Sequence, residues 1–424
     1  MSVVAPGSQS GFFRAGHAPT LLAALLYFDV SFMAWVLLGP LAPFLRADLG
    51  LTSTGIGLLT AVPLLGGSMF RPVLGLLEER IGGRRTGLLG LTLTLVTLSL
   101  GWQFAHTTPH LLLLGFFLGI AGASFAVALP LASRWYPPEY QGLAMGIAGA
   151  GNSGTLLATL FAPRLAERFG WQTTFGIAMA PIAVVLLLFA LVARDSPRRA
   201  KPASAAAYWA VLREPDTLAL SFLYALTFGG FVGFATFLTT FFHEAYQVSR
   251  VDAGDLATLV VVAGSFLRPI GGWLSDRVGG YRMLVLLLAG CAVCVALVAT
   301  MPAVRVAVAL LFVAVGLLGM GNGAVFQLVP QRFPDRIGVV TGVVGAAGGL
   351  GGFFLPSVLG AVRDMTGSYA AGLLGCAAVF LTGTLVLLEL GARWSIRWRA
   401  SAVRRAGVYS YRSALSGLDG EPAA

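Results

Sequence analysis

A chain of 424 residues that is 57% hydrophobic and only 11% charged has too little polar surface for a water-soluble domain, and reads as a polytopic membrane protein. Its net charge of +10 would suit a nucleic-acid partner, yet the basic residues fall in short segments between apolar runs rather than on one patch, which excludes that reading. Lipid offers no partner for free backbone N–H and C=O groups, so runs of this length must be helices.

In chain order, residues 1–19 form a polar tail with no small-residue cleavage site after the first apolar run, so that run stays as a span. Windows of roughly 20 apolar residues then begin near Thr20, Thr54, Thr86, His110, Gln141 and Gln172. The stretch "RDSPRRAKPASAAAYW", Arg194 to Trp209, is the longest polar interruption. Six more spans begin near Thr217, Asp252, Tyr281, Val304, Gly338 and Ser368. This divides the chain into a tail (1–19), a six-helix half (20–193), a linker (194–216), a second six-helix half (217–391) and a basic tail (392–424). With the N-terminus inside, twenty Lys and Arg lie in inner segments and six in outer ones (Arg46, Arg164, Arg168, Arg250, Arg305 and Arg363). That bias predicts a plasma-membrane protein with both termini in the cytoplasm. In the tail, Trp394 and Trp398 alternate with arginines from Arg393 to Arg405, the pattern either of an interfacial anchor on an anionic leaflet or of a disordered basic tail.

Two arginines, Arg71 and Arg268, fit neither set, because both fall at membrane depth. Setting "GSMFRPVLGLLEERIGGRR" (Gly67 to Arg85) against "GSFLRPIGGWLSDRVGGYR" (Gly264 to Arg282) makes them one position in two copies of a parallel repeat. Duplicated halves with a binding site between them are a transporter plan, and a charge at the bilayer centre marks function by default. Asp29 is the clearest acid at mid-span, while Asp255 and Glu389 fall near span ends. Two buried cations facing at most one acid call for a bound anion. A structural ion pair is the alternative.

Other signals carry less. Cys291 and Cys294 form a C-x-x-C with no second pair, and read as small packing residues. His106 and His110 are spaced i,i+4, but Pro109 between them and their place in an outer loop argue against a metal site. "GAGNSG", Gly149 to Gly154, matches G-x-G-x-x-G inside a membrane span, where the strand and helix of a dinucleotide fold are missing. Its glycines Gly149, Gly151 and Gly154 predict close helix approach instead. Asn152 among them needs partners, either across a helix contact or on a ligand. No catalytic residue, metal or cofactor is predicted.

The two Gly-acid-Arg-Gly loops resemble the loop between helices 2 and 3 of the major facilitator superfamily. From "FDVSFMAWVLLGPL" (Phe28 to Leu41) to the last span, the chain resembles its nitrate/nitrite porter family, on Arg71, Arg268 and two Gly-rich motifs. The first is "GIAGAGNSGT" with Asn152. The second, "GVVGAAGGLGG" (Gly342 to Gly352), keeps Gly345, Gly348 and Gly349 but has glycine where Asn and Ser stand in the first. The resemblance implies an all-α, twelve-helix fold of two pseudo-symmetric halves, and an anion site lined by Arg71, Arg268, Asn152, Phe125, Tyr224 and Phe228. It also implies that loop residues Glu78, Arg80, Arg84, Asp276 and Arg277 join the halves on the cytoplasmic side when the site faces out. The residues agree: guanidinium is a planar fork of donors that keeps its proton, and nitrate is a planar monoanion. The expected function is nitrate uptake by alternating access, with nitrite as a further substrate and Asp29 as the proton-coupling group. Nitrate/nitrite exchange, or another small organic anion or drug carried by the same fold, are the alternatives.

Overall fold

The structure, a computed structural model, describes residues 12–197, 205–334 and 336–408. Most of the N-terminal tail, the linker residues Arg198, Arg199 and Lys201, and the end of the basic tail with Arg412 lie outside the described residues.

Twelve membrane spans follow the sequence pattern. They are α1 (Ala18–Leu49), α2 (Ser53–Ile81), α3 (Gly83–Phe104), α4 (Thr108–Ser133), α5 (Pro138–Gly149 and Gly154–Phe169), α6 (Trp171–Val192), α7 (Pro215–Tyr246), α8 (Arg250–Val278), α9 (Gly280–Val298), α10 (Val304–Arg332), α11 (Ile337–Thr366) and α12 (Ala370–Arg397). Eleven are long and apolar enough to cross a bilayer alone. The fifth crosses in two pieces of 12 and 16 residues joined by a 3-10 turn, Ala150–Ser153, inside the Gly-rich motif.

The repeat governs how the elements begin and pack. Thr52 caps α2 through its side chain on Gly55 N (3.1 Å), and Ser249 caps α8 on Asp252 N (3.0 Å). Gly82 and Gly279, each at φ +95°, turn the chain from α2 into α3 and from α8 into α9, a conformation closed to other residues without strain. Gly151 and Gly154 let α5 lie on the α1 backbone at Phe28 and Asp29; Gly348 and Gly351 let α11 lie on α7 at Tyr224 and Ala225. Gly349 meets Leu64 and Ser68 of α2, across the two halves. Gly149 departs from the expected packing role: a Cβ there would meet nothing within 4 Å.

Among the described residues, hydrogen bonds and ion pairs between the halves fall in two bands. One is at mid-depth, where Arg71 and Ser68 of α2 donate to the Gly345 and Ala346 carbonyls of α11. The other is at the end opposite the chain termini. There Arg46 pairs with Glu244, Arg164 with Asp255 (2.6 Å), and Asp364 of α11 accepts from the first turn of α2. Glycines close this end further, Gly57 on Pro356, Gly360 on Ser53 and Gly254 on Pro163. The bundle is therefore shut at the end away from its termini. At the termini end, Glu78 pairs with Arg134 (2.5 Å), Arg84 N donates to Asp195, and Arg277 stacks on Trp273, each inside its own half. Among the described residues, Glu78, Arg80, Arg84, Asp276 and Arg277 make no hydrogen bond or ion pair between the halves; the contacts expected of them belong to the state in which the site faces out.

The tail also departs from expectation. Instead of an interfacial anchor or a disordered segment, α12 continues to Arg397, and Trp394 and Trp398 are buried and stacked 4.6 Å apart. Both indoles donate to Asp216 at the start of α7 (2.8 and 3.1 Å), which also pairs with Arg332. A carboxylate at a buried helix start needs donors, and the two tryptophans supply them. A short helix, Ala400–Ala406, then packs on the α8–α9 turn at Gly279.

Candidate functional site

Arg71 lies at the centre of the bundle, 3% exposed. Its surroundings follow from a break in one helix and a glycine in another. The α4 helix is interrupted between Gly122 and Phe125, which leaves the Gly122 carbonyl to accept Arg71 Nε at 3.2 Å. Nη1 donates to the Gly345 carbonyl of α11, in the other half, a contact that a glycine on the helix face allows. Nη2 is buried with no partner. Two of the three guanidinium nitrogens are thus held by backbone, and one is left for a ligand.

Arg268 presents the same deficit from the second half, with Nη1 buried and unpaired. The two guanidinium groups lie over one ring: Phe125 is 5.7 Å from Arg71 and 5.8 Å from Arg268. No carboxylate comes within ion-pair distance of either arginine among the described residues. A buried guanidinium beside a half-buried one, without an acid, leaves positive charge that an anion can offset.

Aromatic rings frame this charge. Tyr224 and Phe228 stack at 5.1 Å, Phe228 also lies under Arg71 at 5.0 Å, and the Tyr224 hydroxyl is buried without a partner. Gly348 sits against both rings, where a Cβ would come within 2.7 Å of each. The predicted Phe125, Tyr224, Phe228, Arg71 and Arg268 are therefore brought together. Asn152 is in the 3-10 turn, which packs between α1 and α8, the helix of Arg268. It is fully buried, and neither amide atom has a partner. Helix–helix bonding, the alternative weighed from sequence, is not made. Asp29 accepts from Ser153 Oγ of the same turn at 2.6 Å and forms no ion pair among the described residues. The structural Asp29–arginine pair is thus replaced by a hydroxyl contact.

Three further groups of residues belong to the frame. Trp35 fills the notch left by Gly67 and Gly122, donates to the Pro63 carbonyl at 2.6 Å and lies 5.4 Å from Arg71. Phe28 and Phe32 reach Phe125 and Phe228. Phe326 of α10 is near-parallel to Phe125, with centroids 6.2 Å apart, and meets Tyr224 at 4.8 Å. A signal for two of these exists in the sequence: "FDVSFMAWV" (Phe28 to Val36) set against "YALTFGGFV" (Tyr224 to Val232) pairs Phe28 with Tyr224 and Phe32 with Phe228. Phe326 has Leu129 at its repeat position and no such signal.

The Major Facilitator Superfamily model matches residues 23–356. The probable nitrate/nitrite transporter NarK2 of Mycobacterium tuberculosis is 40% identical over 367 residues, which is 85% of this chain and 93% of that protein. The nitrite extrusion protein of Bacillus subtilis is 34% identical over 376 residues, 88% of this chain and 94% of that one. The probable nitrate transporter NarT of Staphylococcus carnosus is 33% identical over 389 residues, 89% and 95% of the two chains. Among solved structures, the xylose transporter XylE of E. coli superposes with a TM-score of 0.71 at 16% identity over 88% of this chain and 97% of that chain, which is a likeness of fold. The chain belongs to the nitrate/nitrite porter family of the major facilitator superfamily.

Proposed function

We propose that this protein carries nitrate, and nitrite as a second substrate, across the plasma membrane by alternating access, with the anion held between Arg71 and Arg268. The observation that carries this reading is the pair of buried, unpaired guanidinium nitrogens, one from each half, over the shared Phe125 ring. A small anion accepts from both and offsets charge that no carboxylate offsets. The relatives named as nitrate and nitrite transporters support the choice of anion. We infer further that the rings of Phe125, Tyr224 and Phe228 around the guanidiniums favour a flat anion over a tetrahedral one. Asn152 donates a further hydrogen bond through its free amide nitrogen.

The excess of Lys and Arg in the segments on the side of the termini orients that side to the cytoplasm. The shut end is then the outer gate, and the described state faces inward. Opening outward breaks the Arg71–Gly345 bond together with the outer ion pairs, so a site residue doubles as a link between the halves. In the outward state Glu78, Arg80, Arg84, Asp276 and Arg277 close the cytoplasmic side. Asp29, half-buried beside the turn that carries Asn152, is the group through which a proton enters the cycle.

The test is counterflow in proteoliposomes with nitrate, nitrite, chlorate and a small carboxylate, with and without a pH gradient. Nitrate and nitrite must exchange, and a pH gradient acid outside must drive nitrate accumulation. Exchange that ignores the pH gradient gives antiport in place of symport. Transport of the carboxylate with none of nitrate overturns the substrate.

A further inference from the structure

The anion site as drawn takes a guanidinium and an amide from the first half but only a guanidinium from the second. A second amide is present. Asn322 of α10 is fully buried, and its Nδ2 and Oδ1 both lack a partner, the same condition as Asn152. It stands one helical turn before Phe326, so the two share a face of α10, and Phe326 touches both Phe125 and Tyr224. Its flanking residues fix the orientation further. Gly321 lies against Thr227 of α7, and Gly323 against the backbone of Arg268 and Gly272 in α8. Asn322 therefore projects from the arc between the helix of Tyr224 and the helix of Arg268. In the repeat, it takes the position that Phe125 has in the first half.

We propose that Asn322 is an anion-contacting residue of the second half. Its Nδ2 donates to an oxygen of the bound oxyanion, and its Oδ1 accepts from a water kept beside the anion. The reasoning is one of donors and acceptors. A buried amide with neither atom bonded opposes folding unless something at the site satisfies it. Nitrate and nitrite are acceptors only, so they satisfy Nδ2 and leave Oδ1, which requires a donor that the anion lacks and a water supplies. Thr227 Oγ1 and Ser265 Oγ, also buried without partners on α7 and α8, border the same region and give that water further contacts. Each half then contributes one guanidinium and one amide, and the amide of each half travels with its arginine as the halves rock. This rests on the reading of the site as an oxyanion site.

The experiment is calorimetric titration of purified full-length protein with sodium nitrate and sodium nitrite, with melting temperatures taken at zero and saturating nitrate. Wild type must bind; if it binds neither anion, the oxyanion reading itself falls and this proposal with it. Given binding, Asn322→Ala should raise the nitrate Kd about tenfold, the loss of one hydrogen bond to a charged group. The melting temperature without nitrate should hold or rise, because an unsatisfied amide has been removed, and the nitrate-induced rise should shrink. Asn322→Asp, of equal size but opposite in charge to the site's cations, should abolish binding by neutralising the guanidiniums. Should Asn322→Ala not fold, Asn322→Ser is measured on the same criteria. A nitrate Kd within twofold of wild type in the alanine or serine variant overturns the proposal, as does a lowered melting temperature with an unchanged nitrate-induced rise, the mark of packing alone.

Discussion

The outer gate offers a test whose size is set by its bonds. Asp364 of α11 accepts from Ser53 N at 3.0 Å, Thr54 N at 2.7 Å and Thr54 Oγ1 at 2.6 Å, so a carboxylate of one half caps the first turn of α2 in the other. Removing such a cap costs about 0.5–2 kcal/mol. When the halves separate at this end the same groups return to water, so Asp364→Ala weakens only the outward-closed state. The closed-to-open ratio should fall roughly 2- to 30-fold. The Arg164–Asp255 pair, with side chains 41% and 40% exposed, is bidentate but wet, and Arg164→Ala should shift the ratio less, by about 0.2–1 kcal/mol. Spin labels replacing the exposed outer residues His110 and Arg305, one in each half, report the two populations as a distance distribution. A distribution unchanged by Asp364→Ala, or moved more by Arg164→Ala, refutes the assignment of the cap as the main latch.

Three further outcomes are expected. Arg71→Lys removes Nη2 and cannot keep both the Gly122 and Gly345 carbonyls, so nitrate affinity should fall by the worth of a charged hydrogen bond, about 1.5–3 kcal/mol, with the variant folded and inserted; calorimetry reads it, and wild-type affinity would contradict it. Gly348→Ala puts a methyl against the Tyr224 and Phe228 rings and should lose about 1–3 kcal/mol to overpacking while weakening nitrate, whereas Gly149→Ala meets open space and should leave both melting temperature and affinity near wild type. Asp29→Asn should keep nitrate/nitrate exchange yet abolish accumulation driven by a proton gradient alone; accumulation that survives removes Asp29 from the coupling step.

Much of the fold is legible because lipid permits so few alternatives. Span starts fall within a few residues of the expected ones, since Thr, Ser, Gly and Pro punctuate both ends of apolar runs. The interruption of α5 was not legible, because its apolar pattern is continuous and the turn is set by side chains: Ser153 bonds back to the Ala150 carbonyl and out to Asp29. Nor was the docking of the tail, whose tryptophans find Asp216 some 178 residues away in sequence. Of the site, the arginines could be read because a charge repeated at membrane depth has no cheap structural explanation. Trp35 and Phe326 could not, since aromatic residues in apolar helices are ordinary there; the notch at Gly67 and Gly122 seats Trp35, and the contact with Phe125 places Phe326.

What the two halves share and what they do not share separate two requirements of the proposed cycle. Rocking needs each half to offer the other a smooth face in both states, and the glycine seams at Gly151, Gly154, Gly348 and Gly351 are present in both copies. Anion binding needs positive charge from both sides, and Arg71 and Arg268 are likewise a matched pair. Coupling to a proton needs a titratable group that senses the site, and here the copies diverge: the packing, in which Gly348 and Gly351 meet α7 as Gly151 and Gly154 meet α1, moves the glycine match of the sequence by one residue, so that Asp29 is answered by Ala225, Ser153 by Leu350 and Asn152 by Gly349. A proton that entered through both halves would require a second acid at mid-span, and the acids of α7, Asp216 and Glu244, stand at its ends. The asymmetric trio sits where α5 is broken, against α1 and beside the helix of Arg268, so a change in the charge of Asp29 acts on the one turn that contacts both halves. Transfer of the trio to the second half, by Ala225→Asp with Gly349→Asn and Leu350→Ser and removal of the original Asp29, should therefore fail to restore proton-driven uptake, because α11 is unbroken at Gly349 and offers no turn for the new carboxylate to bind.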